Sequence, residues 1–200
     1  MKKILLLLIT LFFTLPIFAK NTILIVGDSL SAGYGMNIAD NWVALLQQRL
    51  QKEQFNYQVV NISISGNTTS NGLAQLPDAL RQHQPTITII ELGGNDGLRG
   101  LQIATIKANL QQMITLAKQA HSKVLLIGVR LPPNYGALYG EQFQQIFIDL
   151  AKENQISVVP LFLKNVDDKA GLMSSDGIHP TAQAQVVMLE HVWGVLERML

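Results

Sequence analysis

What most constrains this chain is the recurrence of short, nearly uniform apolar runs rich in β-branched residues, separated by stretches whose apolar residues repeat at helical spacing. The runs Thr22 to Val26, Tyr57 to Ile62, Thr86 to Leu92, Lys123 to Val129 and Ile156 to Leu161 read as strands. A strand with one wet face alternates apolar and polar side chains. Uniform runs instead indicate strands covered on both faces, as in a parallel sheet flanked by helices. Between them, Trp42, Leu45, Leu46 and Leu50 recur at helical spacing behind Asp40, which is placed to act as N-cap. The same spacing appears in Leu110, Met113, Ile114 and Ala117, in Phe143, Ile146, Phe147 and Leu150, and in Val186, Leu189, Val192, Trp193 and Leu196. Thr69 to Arg81 also reads as helix, with Pro77 expected to kink or split it. The alternation predicts one α/β domain of three layers, without linker or internal repeat.

Composition narrows the function. Of 200 residues, 48% are apolar and 14% charged, enough to build a core and too little charge for a disordered chain. No cysteine is present, which excludes disulfides, thiol nucleophiles and thiolate zinc sites. No histidine pair has metal-ligand spacing, so no metal and no cofactor is expected. From Lys20 onward thirteen basic side chains face fourteen acidic ones, and no basic stripe is available to hold a nucleic acid.

The opening residues, MKKILLLLITLFFTLPIFAK, combine a positive start, an apolar run from Ile4 to Phe18 and a small residue, Ala19, where polarity changes. This is the anatomy of a cleavable signal peptide over residues 1–19, leaving a domain over 20–200. About fifteen apolar residues fall short of the roughly twenty needed to span a bilayer. A periplasmic or secreted monomer without stable membrane insertion is expected.

In an open parallel sheet the chemistry belongs to the loops past the carboxyl ends of the strands. Those loops read Gly27-Asp28-Ser29-Leu30-Ser31, Ser65-Gly66-Asn67, Gly93-Gly94-Asn95-Asp96 and Leu131-Pro132-Pro133-Asn134-Tyr135-Gly136, with Asp176-Gly177-Ile178-His179-Pro180 near the C-terminus. Ser29 is the candidate nucleophile. A hydroxyl needs a base at neutral pH, and His179 supplies an imidazole that Asp176, three residues earlier, can orient through Nδ1. Pro180 suits the first position of the closing helix. The Ser29 N–H, the Gly66 N–H and the Asn95 amide are candidate donors to the oxygen that turns negative when an acyl carbon becomes tetrahedral. Asp28 reads as a helix cap and Asp96 as an organiser of the Asn95 loop. His83, His121 and His191 read as solvated or packed side chains.

These blocks resemble the SGNH or GDSL hydrolases, and within them the bacterial thioesterase, protease and lysophospholipase branch. The resemblance runs on through Ser31-Ala32-Gly33-Tyr34-Gly35-Met36, Glu91 to Gly100 and Arg130 to Gly136, over essentially the whole mature chain. It departs at Ala137 and Leu138, where close relatives carry basic residues. The resemblance implies a flavodoxin-like five-stranded parallel sheet of order 2-1-3-4-5. It also implies a Ser29, His179 and Asp176 triad, an oxyanion hole of Ser29, Gly66 and Asn95, and action on fatty-acyl and aryl esters, lysophospholipids and acyl thioesters. Tyr34, Leu131, Pro132, Tyr135 and Leu138 are the candidates to contact a small ester or lipid substrate, although loop aromatics serve packing equally well. Two alternatives stay open at this point. One is a carbohydrate or short-chain acetyl esterase of the same fold, and the other is a non-catalytic flavodoxin-like binding module.

Overall fold

The computed structural model describes residues 21–200, so the expected signal segment lies outside the described residues. Five strands form one parallel sheet: β1 (Asn21–Gly27), β2 (Tyr57–Asn61), β3 (Ile87–Glu91), β4 (Lys123–Ile127) and β5 (Ser157–Val159), in the order β2-β1-β3-β4-β5. The central strands are covered on both faces: Ile23 to Val26, Ile87, Ile89, Ile90 and Leu125 to Ile127 are all buried. The edge strands behave differently from expectation. Gln58 and Asn61 of β2 are exposed, because an edge strand keeps one flank in water, and β5 stops two residues short of Leu161.

Among the described residues seven helices surround the sheet: α1 (Ser29–Ala32), α2 (Trp42–Lys52), α3 (Thr69–His83), α4 (Gly94–Leu98), α5 (Ile103–Gln119), α6 (Ala137–Asn154) and α7 (Gln185–Leu196). Right-handed crossovers explain their layering. The chain steps one way from β1 to β2 through α2, then the other way through α3, α5 and α6, which places α2 on the opposite face. Accordingly α2 packs on α7, while α3 packs on α5 and α5 on α6. The reversal of direction occurs between β1 and β3, where such sheets open a crevice at their carboxyl ends. Gly27 is in register with Glu91, so the loops bearing Ser29 and Asn95 leave the sheet side by side.

Three local expectations change. Pro77 does not split α3: Gly72 and Leu76 on one side of it and Ala79 and Leu80 on the other are all buried, so packing holds both halves in one helix. The N-cap of α2 is Asn41 rather than Asp40, which ends a 3₁₀ turn over Ile38–Asp40. Asn41 accepts from the Val43 N–H and donates its amide to the Ser31 carbonyl at 2.8 Å, and a carboxylate could not do both. Pro180 does not begin the closing helix. It pairs with Met173 across an isolated antiparallel bridge, and a 3₁₀ turn over Ala182–Ala184 precedes α7.

Candidate active site

Ser29 opens α1 immediately after β1. Three features hold this short helix. The Asp28 carboxylate caps it by accepting from the Leu30 N–H, the Ser31 hydroxyl donates to Glu91 Oε2 at 2.7 Å, and the Asn41 and Asn61 amides both donate to the Ser31 carbonyl at 2.8 Å. Gly27 must lack a side chain, because a Cβ there would lie 2.8 Å from Glu91 Oε2 and 2.9 Å from Ser31.

His179 reaches Ser29 from the far end of the sequence. Residues 172–181 fold back on themselves: the Ser174 N–H donates to the His179 carbonyl, and the Thr181 N–H to the Leu172 carbonyl, each at 2.8 Å. Within this clasp the His179 Nδ1–H faces Asp176 Oδ2 at 2.7 Å, which leaves Nε2 2.9 Å from Ser29 Oγ. The three residues proposed from sequence thus form one continuous hydrogen-bonded chain, a geometry able to draw a proton from a hydroxyl. Asp176 Oδ1 also accepts from the Ser174 hydroxyl and from the Ile178 and His179 N–H groups, at 2.6 to 2.9 Å. Those bonds, the His179 N–H foremost, hold its carboxyl far below the usual carboxylate range, so it stays charged beside the ring. Tyr34 lies over the imidazole with ring centroids 4.4 Å apart.

On the other side of Ser29, Gly93 ends the loop after β3 with φ +116°, a backbone region that requires glycine, and α4 then carries Asn95. The Asn95 amide donates both of its hydrogens, one to Asp28 Oδ2 and one to the Asn67 carbonyl, each at 3.0 Å. Asp96 turns away from the site. It accepts from the Thr69 N–H at 2.8 Å and the Thr69 hydroxyl at 2.6 Å, which anchors α4 to the start of α3. Gly66 sits at φ +83° in an exposed turn, and its carbonyl accepts from Arg99. The N–H groups of Ser29 and Gly66 donate to no other described residue.

Beside this chain opens a cavity of about 680 Å³ that reaches Ser29, Asn95 and His179. Its wall is largely apolar, with Leu98, Val129, Leu131, Pro132, Leu163 and Ile178 contributing. Leu131 and Pro132 therefore stand where the sequence placed them. The other three groove candidates do not line it: Tyr34 covers His179, Tyr135 packs against the core, and Leu138 is 70% exposed. Past Gly136 the chain is already α6 from Ala137 on, and in a helix neighbouring side chains point to different sides. Among the described residues no three histidine or acidic side chains are grouped as metal ligands.

The residues that sequence reasoning passed over are Glu91, Asn67 and the second role of Asp28. Glu91 carried a signal, a lone ionisable side chain closing an otherwise uncharged strand. Burial, reinforced by the charge of Asp28, raises its carboxyl well above the ordinary glutamate value; burial likewise raises Asp28 to about 6.

Comparison with known proteins agrees with this geometry. The model of the GDSL-like lipase/acylhydrolase family matches residues 25–187. Esterase TesA of Pseudomonas aeruginosa is 47% identical over 182 residues, covering 91% of this chain and 90% of its own. The thioesterase 1/protease 1/lysophospholipase L1 of Escherichia coli (strain K12) is 47% identical over 167 residues, covering 84% and 79%. A crystal structure of TesA superposes with a TM-score of 0.88 at 47% identity, over 90% of this chain and all of the other. A match of that extent makes this chain a member of the GDSL-like lipase/acylhydrolase family and a hydrolase of ester bonds.

Proposed function

We propose that this protein is an exported serine esterase that cleaves fatty-acyl and aryl esters, with lysophospholipase and acyl-thioesterase capability, through an acyl-enzyme on Ser29. The observation that carries this is the hydrogen-bonded line from Asp176 through His179 to Ser29 at the lip of an apolar cavity. In this reading Ser29 Oγ attacks the acyl carbon as His179 Nε2 takes its proton. The imidazolium, steadied by Asp176, returns the proton to the leaving alcohol, and water then releases the acid by the same relay. The Ser29 N–H, the Gly66 N–H and the Asn95 amide serve as donors to the oxyanion, Leu131 and Pro132 contact the acyl chain, and Tyr34 shields the imidazole from water. The protein acts as a monomer in the periplasm or outside the cell, where the leader over residues 1–19 directs it.

The cavity wall favours an acyl chain over an acetylated sugar, which would call for a polar platform. A fluorophosphonate probe should label the wild type and leave Ser29→Ala unlabelled. Equal labelling of the two would overturn the assignment of Ser29.

A further inference from the structure

We propose that Asp28 is a positioning residue for acyl transfer: its carboxylate aims the Asn95 amide at the oxyanion, and Glu91, behind it, fixes the backbone from which Asp28 projects. The proposal deepens the function proposed above and rests on Asn95 being an oxyanion donor.

A side-chain amide has a donor end and an acceptor end, and an oxyanion is stabilised only by the first. Two partners decide which end faces the site, and both accept only: Asp28 Oδ2 and the Asn67 carbonyl, each 3.0 Å from Asn95 Nδ2. A flipped amide would set oxygen against oxygen at both contacts. The partners differ in what happens next. A developing oxyanion is a stronger acceptor than the neutral Asn67 carbonyl and can take the hydrogen that points there. Asp28, charged and anchored, keeps the other hydrogen and holds the amide plane in place.

Asp28 is itself over-determined. It is 2% exposed, its Oδ1 accepts from the Leu30 N–H at 3.1 Å, and its own N–H points to Glu91 Oε2 at 3.4 Å. The groups facing it are Glu91 from β3, Asn95 and Asp96 from α4, and His179 from the C-terminal clasp. Burial, reinforced by the Asp28 charge beside it, raises the Glu91 carboxyl well above its ordinary value, and more bonds compensate Asp28, whose two oxygens accept from the Leu30 N–H and the Asn95 amide. When His179 becomes an imidazolium, that charge lies near it with favourable sign. A helix cap alone would need only Oδ1, and the second oxygen is committed to Asn95.

Asp28→Asn tests this, because asparagine is as good a cap but offers one acceptor oxygen where two are used. With a p-nitrophenyl ester as substrate, Asp28→Asn is expected to lower kcat about 10- to 100-fold with KM within about twofold, and Asn95→Ala about 100- to 1,000-fold. In an Asn95→Ala background, Asp28→Asn should add less than about twofold, since its effect passes through Asn95. Full kcat in Asp28→Asn, or losses that multiply in the double variant, would overturn the proposal. If Asp28→Asn does not fold, as judged by circular dichroism, Asp28→Ser carries the same test, because a hydroxyl can cap α1 but is too short to hold Asn95. Ser29→Ala separates the two levels. If it still turns over ester, the function proposed above falls; if it is inert while Asp28→Asn has wild-type kcat, only the role of Asp28 falls.

Discussion

Two aspartates lie within a few bonds of the Ser29 hydroxyl, and their surroundings drive them in opposite directions. Asp176 sits in an exposed turn and collects hydrogen bonds from Ser174, Ile178 and His179, which lower its pKa. Asp28 is enclosed beneath α1 against Glu91, and desolvation outweighs its bonds to Leu30 and Asn95, raising it to about 6. The lesson is that a carboxylate's charge state follows from how many N–H groups compensate for the water it has lost. One arm of the site is thus built locally and stays wet, while the other is assembled from distant loops and is nearly dry.

The largest expected effect lies in the wet arm. His179→Ala should lower kcat by about four to six orders of magnitude, because the hydroxyl then has no base; steady-state hydrolysis of a p-nitrophenyl ester measures it. Thermal stability should change little, since the Asp176 bonds to Ser174 and Ile178 remain. The dry arm comes next. Asn95→Ala should cost about 2.7 to 4 kcal/mol of transition-state stabilisation, with the acyl-enzyme still formed slowly and detectable by mass spectrometry.

The contrast between the aspartates is sharpest in pH dependence. A carboxyl raised on folding stabilises the protein below its unfolded value, and that contribution is lost as pH rises through about 6. For Asp28 the difference amounts to about 3 kcal/mol at neutral pH. The Tm of Asp28→Asn minus that of the wild type should therefore become more positive from pH 4 to pH 8. Asp176, lowered on folding, contributes stability that is full above about pH 4 and is lost as pH falls below it, so the same difference for Asp176→Asn should grow more negative from strong acid up to about pH 4 and stay level from there to pH 8. Parallel slopes for the two variants, measured by thermal scans across that range, would break the comparison. Per group changed, the smallest effect concerns the cavity. Lengthening the acyl group of a phenyl ester from acetyl to octanoyl should raise kcat/KM by up to about fourfold per methylene, the equivalent of about 0.8 kcal/mol, until the cavity is filled. A flat profile would remove Leu131 and Pro132 from substrate contact.

How much of this could be read from the chain differs between the two arms for the same reason. Asp176 and His179 are three residues apart and belong to one turn, so their pairing is a local property and visible in sequence. Ser29 and Asn95 were identifiable because each follows a strand, and in a parallel sheet strand ends share one edge. That Asp28 holds Asn95 was not readable, since it depends on Gly27 standing in register with Glu91, a pairing between residues more than sixty positions apart. The groove candidates divide in the same way. Leu131 and Pro132 lie directly past β4 and face the cavity, whereas the onset of α6 at Ala137 turns Leu138 outward. The continuity of α3 through Pro77 was not readable either, because local chemistry disfavours proline within a helix while packing on both sides of it holds the halves together.

The sequence by itself determined the layers, the apolar strands and which loops leave the carboxyl ends of the sheet, because burial and periodicity are written in neighbouring residues. Only the tertiary structure decided which oxygen accepts from which amide, which carboxyl is raised and which lowered, and which side chains line the cavity. Those outcomes depend on distances of about 3 Å between segments far apart in the chain, and on how much water the folded layers exclude.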